Sequence, residues 1–298
     1  MGAIIVAALA GCSGGSNSAS DTVPLLVDRP LSIYPDGGAE WAATIQNARA
    51  QLVFECMRDR GFDDIPPPNR VLPTDPSILG RPFGIETMEE AESKGYGGNL
   101  SEVQESPMDV YLTNLERTDP DRLALVGIAL YGTQSDPGKP VKVTLPGGGA
   151  QDVFPIDQQG CSGIARRGVE GQELEKFAAV RRQVELVGNS ASERATADPR
   201  VIAAQQEWSK CMAASGYAFD TPAAASNAGV GLTIADRASG IRMAKVDVAC
   251  KESSHLVASF RAVRNGYEQQ LLDQQLGLVE LWRQLSDSAL DRALEILA

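Results

Sequence analysis

Cysteine and histidine side chains carry the most versatile chemistry in proteins, and this chain has five cysteines and one histidine. A cysteine can take a lipid, close a disulfide, bind a metal or act as a nucleophile. The cysteines stand at positions 12, 56, 161, 211 and 250, and no two of them form a Cys-x-x-Cys pair. This spacing does not fit a zinc finger, a thioredoxin-like motif or a c-type haem attachment. We therefore predict no metal site and no cofactor.

Cys12 follows MGAIIVAALAG, an apolar run of eleven residues that ends in small side chains. The run matches the hydrophobic core and cleavage end of a secretory signal, and it is too short to span a bilayer. Residues 9–12, Leu-Ala-Gly-Cys, resemble the bacterial lipobox, in which lipid is attached to the cysteine thiol. The prediction is a signal peptide over 1–11, lipid on Cys12 and a polar tether over 12–37. An incidental cysteine is the alternative, because signals begin with basic residues and the first one here is Arg29.

Lipid on Cys12 would place the protein on the extracytoplasmic face of a cell membrane. Each acyl CH₂ group buried in a bilayer contributes about 0.8 kcal/mol, so two or three acyl chains anchor a protein stably. Export also permits disulfides, and the four remaining cysteines form an even set.

The segments 55–62, ECMRDRGF, and 210–217, KCMAASGY, share the pattern Cys-Met-x-x-x-Gly-aromatic. Each segment ends a helical pattern, with its glycine where a left-handed residue stops a helix. A further cysteine follows each repeat, at position 161 and at position 250. Pairing within each repeat is the favoured one of three connectivities, and each disulfide would stabilise the fold by about 3 to 5 kcal/mol. The predicted disulfides are Cys56 with Cys161 and Cys211 with Cys250.

Most of the chain has helical patterns. Residues 119–132 begin with an aspartate and a proline suited to a helix start. Residues 141–154 alternate around Pro-Gly-Gly-Gly and predict a β-hairpin. A short helix is predicted over 85–95, after a proline-rich surface excursion over 65–84. Beyond Gly240, apolar residues at spacings of three, four and seven predict one long helix that continues to near Ser286.

We predict a mainly α fold: a helical bundle-like body with a long C-terminal helix, a small β-hairpin and irregular Pro/Gly-rich loops. Two cysteine-linked helical units are expected, over 38–187 and over 188–298. The polar segment 188–199, GNSASERATADP, is predicted to be a hinge between them.

Net charge limits the partners. A formal charge of −12 argues against nucleic acid, which requires clustered Lys and Arg. The closest basic cluster lies between Arg166 and Arg182 and is interleaved with glutamates, so we predict a solvated helix face there.

No catalytic residue is predicted. His255 is expected to be a surface or half-buried residue of the long helix, and GxSxG and HExxH motifs are missing. The glutamates between Glu86 and Glu92 suit the start of a helix. Two carboxylates brought together by folding leave no mark in a sequence, however. An envelope hydrolase that acts on polysaccharide or peptidoglycan, with acids from 63–118, is therefore the alternative function.

Several segments together resemble a group of uncharacterised lipoproteins that actinobacteria export. They are the lipobox, CMRDRGF, ALYG at 129–132, GCSGIARR at 160–167, WSKCMAASGYAF at 208–219 and DVACKESSHLVASFRAV at 247–263. The resemblance implies an envelope location and four structural cysteines, and it implies no activity, cofactor or catalytic residue. The expected function is a non-enzymatic, membrane-anchored binding or interaction module of the cell envelope, with an envelope protein as its partner.

Overall fold

The computed structural model describes residues 23–25, 29–30, 38–73, 81–97, 106–133, 139–155 and 160–298. Helices account for most of these residues, and one small antiparallel sheet is present among them. The predicted mainly α fold is therefore confirmed. The predicted signal peptide and Cys12 lie outside the described residues.

Eleven α-helices and one hairpin follow one another along the described residues. The first half contains α1 Ala39–Asp59, α2 Met88–Lys94, α3 Pro107–Thr118, α4 Pro120–Tyr131, β1 Val141–Thr144, β2 Ala150–Val153 and α5 Cys161–Glu170. The second half contains α6 Leu174–Ala197, α7 Pro199–Ala214, α8 Pro222–Ala235, α9 Arg237–Ser253, α10 Leu256–Leu272 and α11 Leu278–Leu297.

Helices α3, α4, α7 and α8 begin in the same way, with a capping side chain followed by a proline. At α4, the side chain of Asp119 accepts a hydrogen bond from the backbone N–H of Arg122. A proline in the first helical position has no N–H to leave unsatisfied, and its fixed φ suits a helix. The helix predicted over 119–132 is confirmed, and α2 confirms the short helix predicted over 85–95.

The predicted hairpin is also confirmed. Strands β1 and β2 pair antiparallel, with Val141 opposite Val153 and Thr144 opposite Ala150. Gly147 and Gly148 in the connection both have a φ of +87°, a conformation that side chains disfavour.

The single helix predicted beyond Gly240 is divided into α9, α10 and α11. His255 has a φ of +54° and stops α9, and Gly277 has a φ of +80° just before α11. A left-handed residue cannot continue a right-handed helix, so the chain turns at both places. The last helix nevertheless has 20 residues, which confirms the long C-terminal helix.

The predicted hinge at 188–199 is wrong, because α6 continues through it to Ala197. Ala191 and Ala195 are fully buried, so the small residues of this polar segment face the interior of the protein. Asp198 then caps α7 directly. The boundary predicted between the two helical units therefore falls inside a helix.

Three apolar clusters form the core, and they do not follow the two predicted units. One cluster is centred on α7, α9 and α10 and includes Phe83 and Tyr96 from the first half. A second joins α1, α6, the hairpin and α11, with Trp282 against Phe177. The third joins the end of α1 to α3, α4 and α5. The last helix thus packs on the first.

Candidate functional site

Two disulfides hold the helices together, and they join the partners predicted from the repeats. Cys56 near the end of α1 is bonded to Cys161, the first residue of α5, and Cys211 of α7 is bonded to Cys250 of α9. The four cysteines are therefore structural in this chain. The fifth cysteine, Cys12, lies outside the described residues.

The repeated motif is a repeated way to end a helix. The backbone N–H of Phe62 donates to the carbonyl of Met57 (3.1 Å), and that of Tyr217 donates to the carbonyl of Met212 (2.9 Å). The glycine before each aromatic residue is left-handed, with φ of +86° and +90°. Both methionines are fully buried. The similarity ends there, because Cys161 begins a helix whereas Cys250 lies near the end of one.

A proline-rich segment after the first repeat is held beside α1. We call residues 65–72, IPPPNRVL, the proline strap. Ile65 is buried at one end of it, and at the other end Val71 exchanges two hydrogen bonds with the Asn47 side chain (2.7 and 2.9 Å). The strap has no regular secondary structure, since prolines exclude a helix and lack the N–H for a strand ladder.

An open groove of about 570 Å³ lies between α1, the proline strap and the first turn of α3. Its volume lies in the range of small-molecule sites in proteins. Most of its lining is apolar, and the principal apolar residues are Ala50, Val53, Phe54, Pro66, Pro68 and Met108.

Arg70 is the one ionisable side chain among the described residues that line the groove. A guanidinium stays protonated at physiological pH, so it binds anions but does not exchange protons with a substrate. Ser106 also lines the groove, and its hydroxyl caps α3 by accepting from the N–H of Asp109 (3.1 Å). The lining is thus suited to binding.

Sequence reasoning missed this groove and treated residues 65–84 as a surface excursion. The available signal was the apolar ends of IPPPNRVL, directly after the helix stop at Gly61. An apolar residue at each end of a proline run indicates a segment that packs against the body at both ends.

Asp64, in the 63–118 stretch of the hydrolase alternative, has a structural role. Arg122 of α4 and the hydroxyl of Tyr111 (2.9 Å) both donate to its carboxylate. The hydrogen bond from Arg122 is the main cause of the lowered pKa of Asp64. These contacts tie the turn after α1 to α3 and α4.

The glutamates around α2 fasten it to the second half of the chain. Glu86 pairs with Arg261, and Glu92 pairs with Lys245 (2.7 Å). Glu90 pairs with Arg81 (2.6 Å) in the first turn of α2. The helix-start role predicted for this acidic cluster holds for Glu90, while the other two pairs are long-range.

A buried polar cluster formed by side chains of α7 and α9 contacts the segment 81–86. Lys251 donates to Asp247 (2.7 Å) and to the carbonyl of Ile85 (2.8 Å), and Asp247 also accepts from the indole N–H of Trp208 (2.9 Å). The carbonyl of Phe83 is a further acceptor for Lys251. Burial lowers the pKa of Lys251. These groups are satisfied by one another, so the cluster is a structural clamp.

The basic cluster between Arg166 and Arg182 is only partly the solvated face that was predicted. Ion pairs with glutamates do line it, such as Arg181 with Glu185 (3.2 Å). Glu170, however, is buried and contacts both Arg166 and Arg49. Burial is the main cause that lowers the pKa of Arg49 to about 10. The cluster therefore joins α1 to α5.

His255 lies at the junction of α9 and α10 rather than within a long helix, and it is exposed. Its backbone N–H donates to the carbonyl of Glu252 (3.1 Å). The predicted surface position is confirmed, and the predicted helical position is corrected.

The described part of the predicted tether, residues 23–25 and 29–30, is docked on the protein body. Val23 is only 5% exposed, and Arg200 donates to its carbonyl (3.1 Å). Arg29 forms an ion pair with Glu268 of α10 (3.0 Å), whose side chain is fully buried. A free tether over the whole of 12–37 therefore does not describe this segment, because its apolar and basic residues find partners on α7 and α10.

Within the described residues, no group of three or more His, Cys, Asp or Glu side chains is placed to hold a metal ion. No helix in that part of the chain combines the length and the apolar character needed to cross a membrane. Comparisons with protein-family models, with curated proteins and with solved structures found no match for this chain.

Proposed function

We propose that this protein is a non-enzymatic binding or interaction module, held on the extracytoplasmic face of a cell membrane by lipid on Cys12. The observation that carries the proposal is the groove beside α1. It is open and apolar, and its described lining contains a single ionisable group, that of Arg70.

The binding part of the proposal rests on how firmly the groove is built. The Cys56–Cys161 disulfide ties down the end of α1, and the Asn47 side chain fixes the proline strap. A site that exists before its ligand arrives avoids the cost of ordering it on binding. General acid–base catalysis would instead require side chains that gain and lose protons near neutral pH.

The anchor part of the proposal rests on the cysteines and on the docked N-terminal segment. Disulfides are typical of exported proteins and use four of the five thiols. Val23 is eleven residues after Cys12, and a chain of that length reaches at most about 40 Å. Lipid on Cys12 would therefore hold the body close to the membrane.

The hydrolase alternative finds less support. Asp64, Glu86, Glu90 and Glu92 are all engaged in ion pairs that join elements of the fold or stabilise the start of α2. Carboxylates that work as an acid and a nucleophile or base must instead face a shared substrate. We therefore do not propose it as a second function.

Photocrosslinking in native membranes tests the proposal. A photoreactive amino acid replaces Leu72, which lines the groove, and in a matched control replaces Leu125, which is exposed on α4. We expect a specific adduct from position 72 that disappears when Ala50→Trp fills the groove. The same adducts from both positions, unchanged by Ala50→Trp, would contradict the groove as the binding site.

Cell fractionation tests the anchor separately. We expect the full chain in the membrane fraction and the Cys12→Ser variant outside the cytoplasm but not in that fraction. Equal distribution of both proteins would contradict a lipid anchor at this position.

A further inference from the structure

We propose that the groove binds small amphiphiles with an apolar body and one anionic group, and that Arg70 binds the anionic group. This inference rests on the proposed function, because it names the ligand class of the same groove.

The apolar body of the ligand follows from the floor of the groove. The lining combines Val53 and Phe54 from α1 with Pro66 and Pro68 from the proline strap and Met108 from α3. None of these side chains can donate a strong hydrogen bond. Transfer of apolar ligand surface from water to such a lining is the main favourable contribution that it offers.

The anionic group follows from Arg70. Its side chain is exposed and forms no ion pair with the described residues, whereas nearby Arg58 lies over the ring of Phe54 (5.8 Å) and 3.8 Å from Asp63. The Arg70 guanidinium places a positive charge beside an apolar groove in a chain with a net charge of −12. Guanidinium groups bind carboxylates and phosphates through two parallel hydrogen bonds.

The proline strap and the described lining of the groove lack the groups that larger ligands such as a peptide strand or a nucleic acid would need. The N–H and the carbonyl of Val71 are both bonded to Asn47, and the three prolines have no N–H. Four of the eight residues of the proline strap therefore have no free N–H with which to pair with a peptide strand, which disfavours strand addition. A nucleic acid needs several cations along its backbone, and the described lining supplies one.

The test is a fluorescence titration of the full chain carrying Cys12→Ser, which avoids detergent in the assay. The probes are 11-(dansylamino)undecanoic acid, its methyl ester and the corresponding primary amine, each kept below its aggregation concentration. We expect the carboxylate to bind at least tenfold more tightly than the amine. The ester should bind with intermediate affinity, because it keeps the apolar body.

Two variants with matched controls locate the binding. Arg70→Gln should weaken carboxylate binding about tenfold and leave ester binding unchanged, while Arg182→Gln on the exposed face of α6 should change neither. Ala50→Trp should abolish binding of all probes, while Ala124→Trp, exposed on α4, should not. Circular dichroism and non-reducing electrophoresis check that each variant is folded with both disulfides.

The outcomes separate the ligand class from the groove itself. Equal binding of the three probes, lost in Ala50→Trp but unchanged in Arg70→Gln, overturns the anionic ligand and keeps the groove. Binding to phosphatidylglycerol vesicles without binding of the free carboxylate also overturns the proposal, since the source is then a bilayer. If no probe binds, the proposed ligand class is wrong. The photocrosslink at position 72 then tests separately whether the groove is a binding site.

Discussion

The carbonyl oxygen of Pro24 occupies the space that a side chain at Gly266 of α10 would need. This close approach lets Val23 enter the core, where it packs in the same cluster as Phe260 and Val263. Val23 and Pro24 are therefore part of the folded body. If the chain is anchored at Cys12, this docking fixes the point on the body to which the anchored segment is attached.

Gly266→Ala should release the N-terminal segment. A Cβ atom there meets backbone that cannot move aside without undocking, so we expect a loss of about 1 to 3 kcal/mol of stability. Amide hydrogen exchange at Val23, Leu25 and Arg29 should also become faster. The control is Gly231→Ala in α8, where a Cβ atom has no neighbour within 4 Å and alanine should stabilise by up to about 1 kcal/mol. Similar effects of both variants would show that docking is not what Gly266 permits.

Removal of the two disulfides should cost different amounts. They enclose sequence separations of 105 and 39 residues, for which the chain-entropy relation gives about 4.8 and 3.9 kcal/mol. We therefore expect the double variant Cys56→Ser, Cys161→Ser to lose about 1 kcal/mol more stability than Cys211→Ser, Cys250→Ser. Urea unfolding of both variants measures the difference, and the opposite order would contradict the entropic account.

The buried clamp at Lys251 should contribute much more to the free energy of unfolding than the surface ion pair on the same helix. Lys251→Met leaves Asp247 and two backbone carbonyls without their donor, and we expect a loss of about 3 to 5 kcal/mol. Lys245→Met is the matched control, because Lys245 pairs with Glu92 in solvent and should cost less than about 1 kcal/mol. Thermal unfolding measures both. Equal losses would mean that the clamp does not hold residues 81–86.

Asp198 should make stability depend on acid pH. Hydrogen bonds from Arg200 are the main cause that lowers the pKa of Asp198 below its ordinary 3.8. Its stabilising effect is therefore present above the unfolded pKa and is lost as the pH falls through the folded pKa. Asp198→Asn keeps a capping side chain for α7 but loses the charge, and should cost about 1 to 2 kcal/mol at pH 7.

The difference between wild type and Asp198→Asn should narrow as the pH falls below the ordinary carboxyl pKa of 3.8, because the unfolded wild type then binds a proton that the folded protein binds only at lower pH. Chemical unfolding at a series of pH values measures it. Asp291→Asn, at an exposed position of α11, is the control and should leave the pH dependence unchanged. A constant difference down to pH 2 would contradict a charge effect at Asp198.

Local signals in the sequence predicted local structure well. Asp119 followed by Pro120 begins a helix, and Gly61 and Gly216 end helices, because each of these effects depends on one or two residues and their own backbone. The disulfide pairs were also accessible, since the two Cys-Met motifs repeat and each is followed by one further cysteine.

The turn at His255 and the helix through 188–197 were not predictable in the same way. A left-handed conformation is uncommon for a residue other than glycine, and His255 adopts it between the buried residues Cys250 and Leu256. In 188–197, the polar composition suggested a hinge, but alanines at helical spacing are buried against side chains of other elements. Tertiary contacts decided both cases.

The groove was beyond the sequence for a related reason. The sequence around each wall predicts an ordinary element, a helix at α1 and a loop at the proline strap. The hydrogen bonds between Asn47 and Val71, 24 residues apart, and the burial of Ile65 place them side by side. The sequence likewise did not indicate that Arg70 lies beside apolar side chains from α1 and α3.

The most direct test of the central claim is the mass of the N-terminal peptide from protein extracted from its host's membranes, mapped without reduction. The account predicts a mature chain that begins at Cys12 with acyl groups attached, together with the linked peptides Cys56–Cys161 and Cys211–Cys250. An unmodified Cys12 in a chain with free thiols would contradict it, because neither the anchor nor the exported state would then exist.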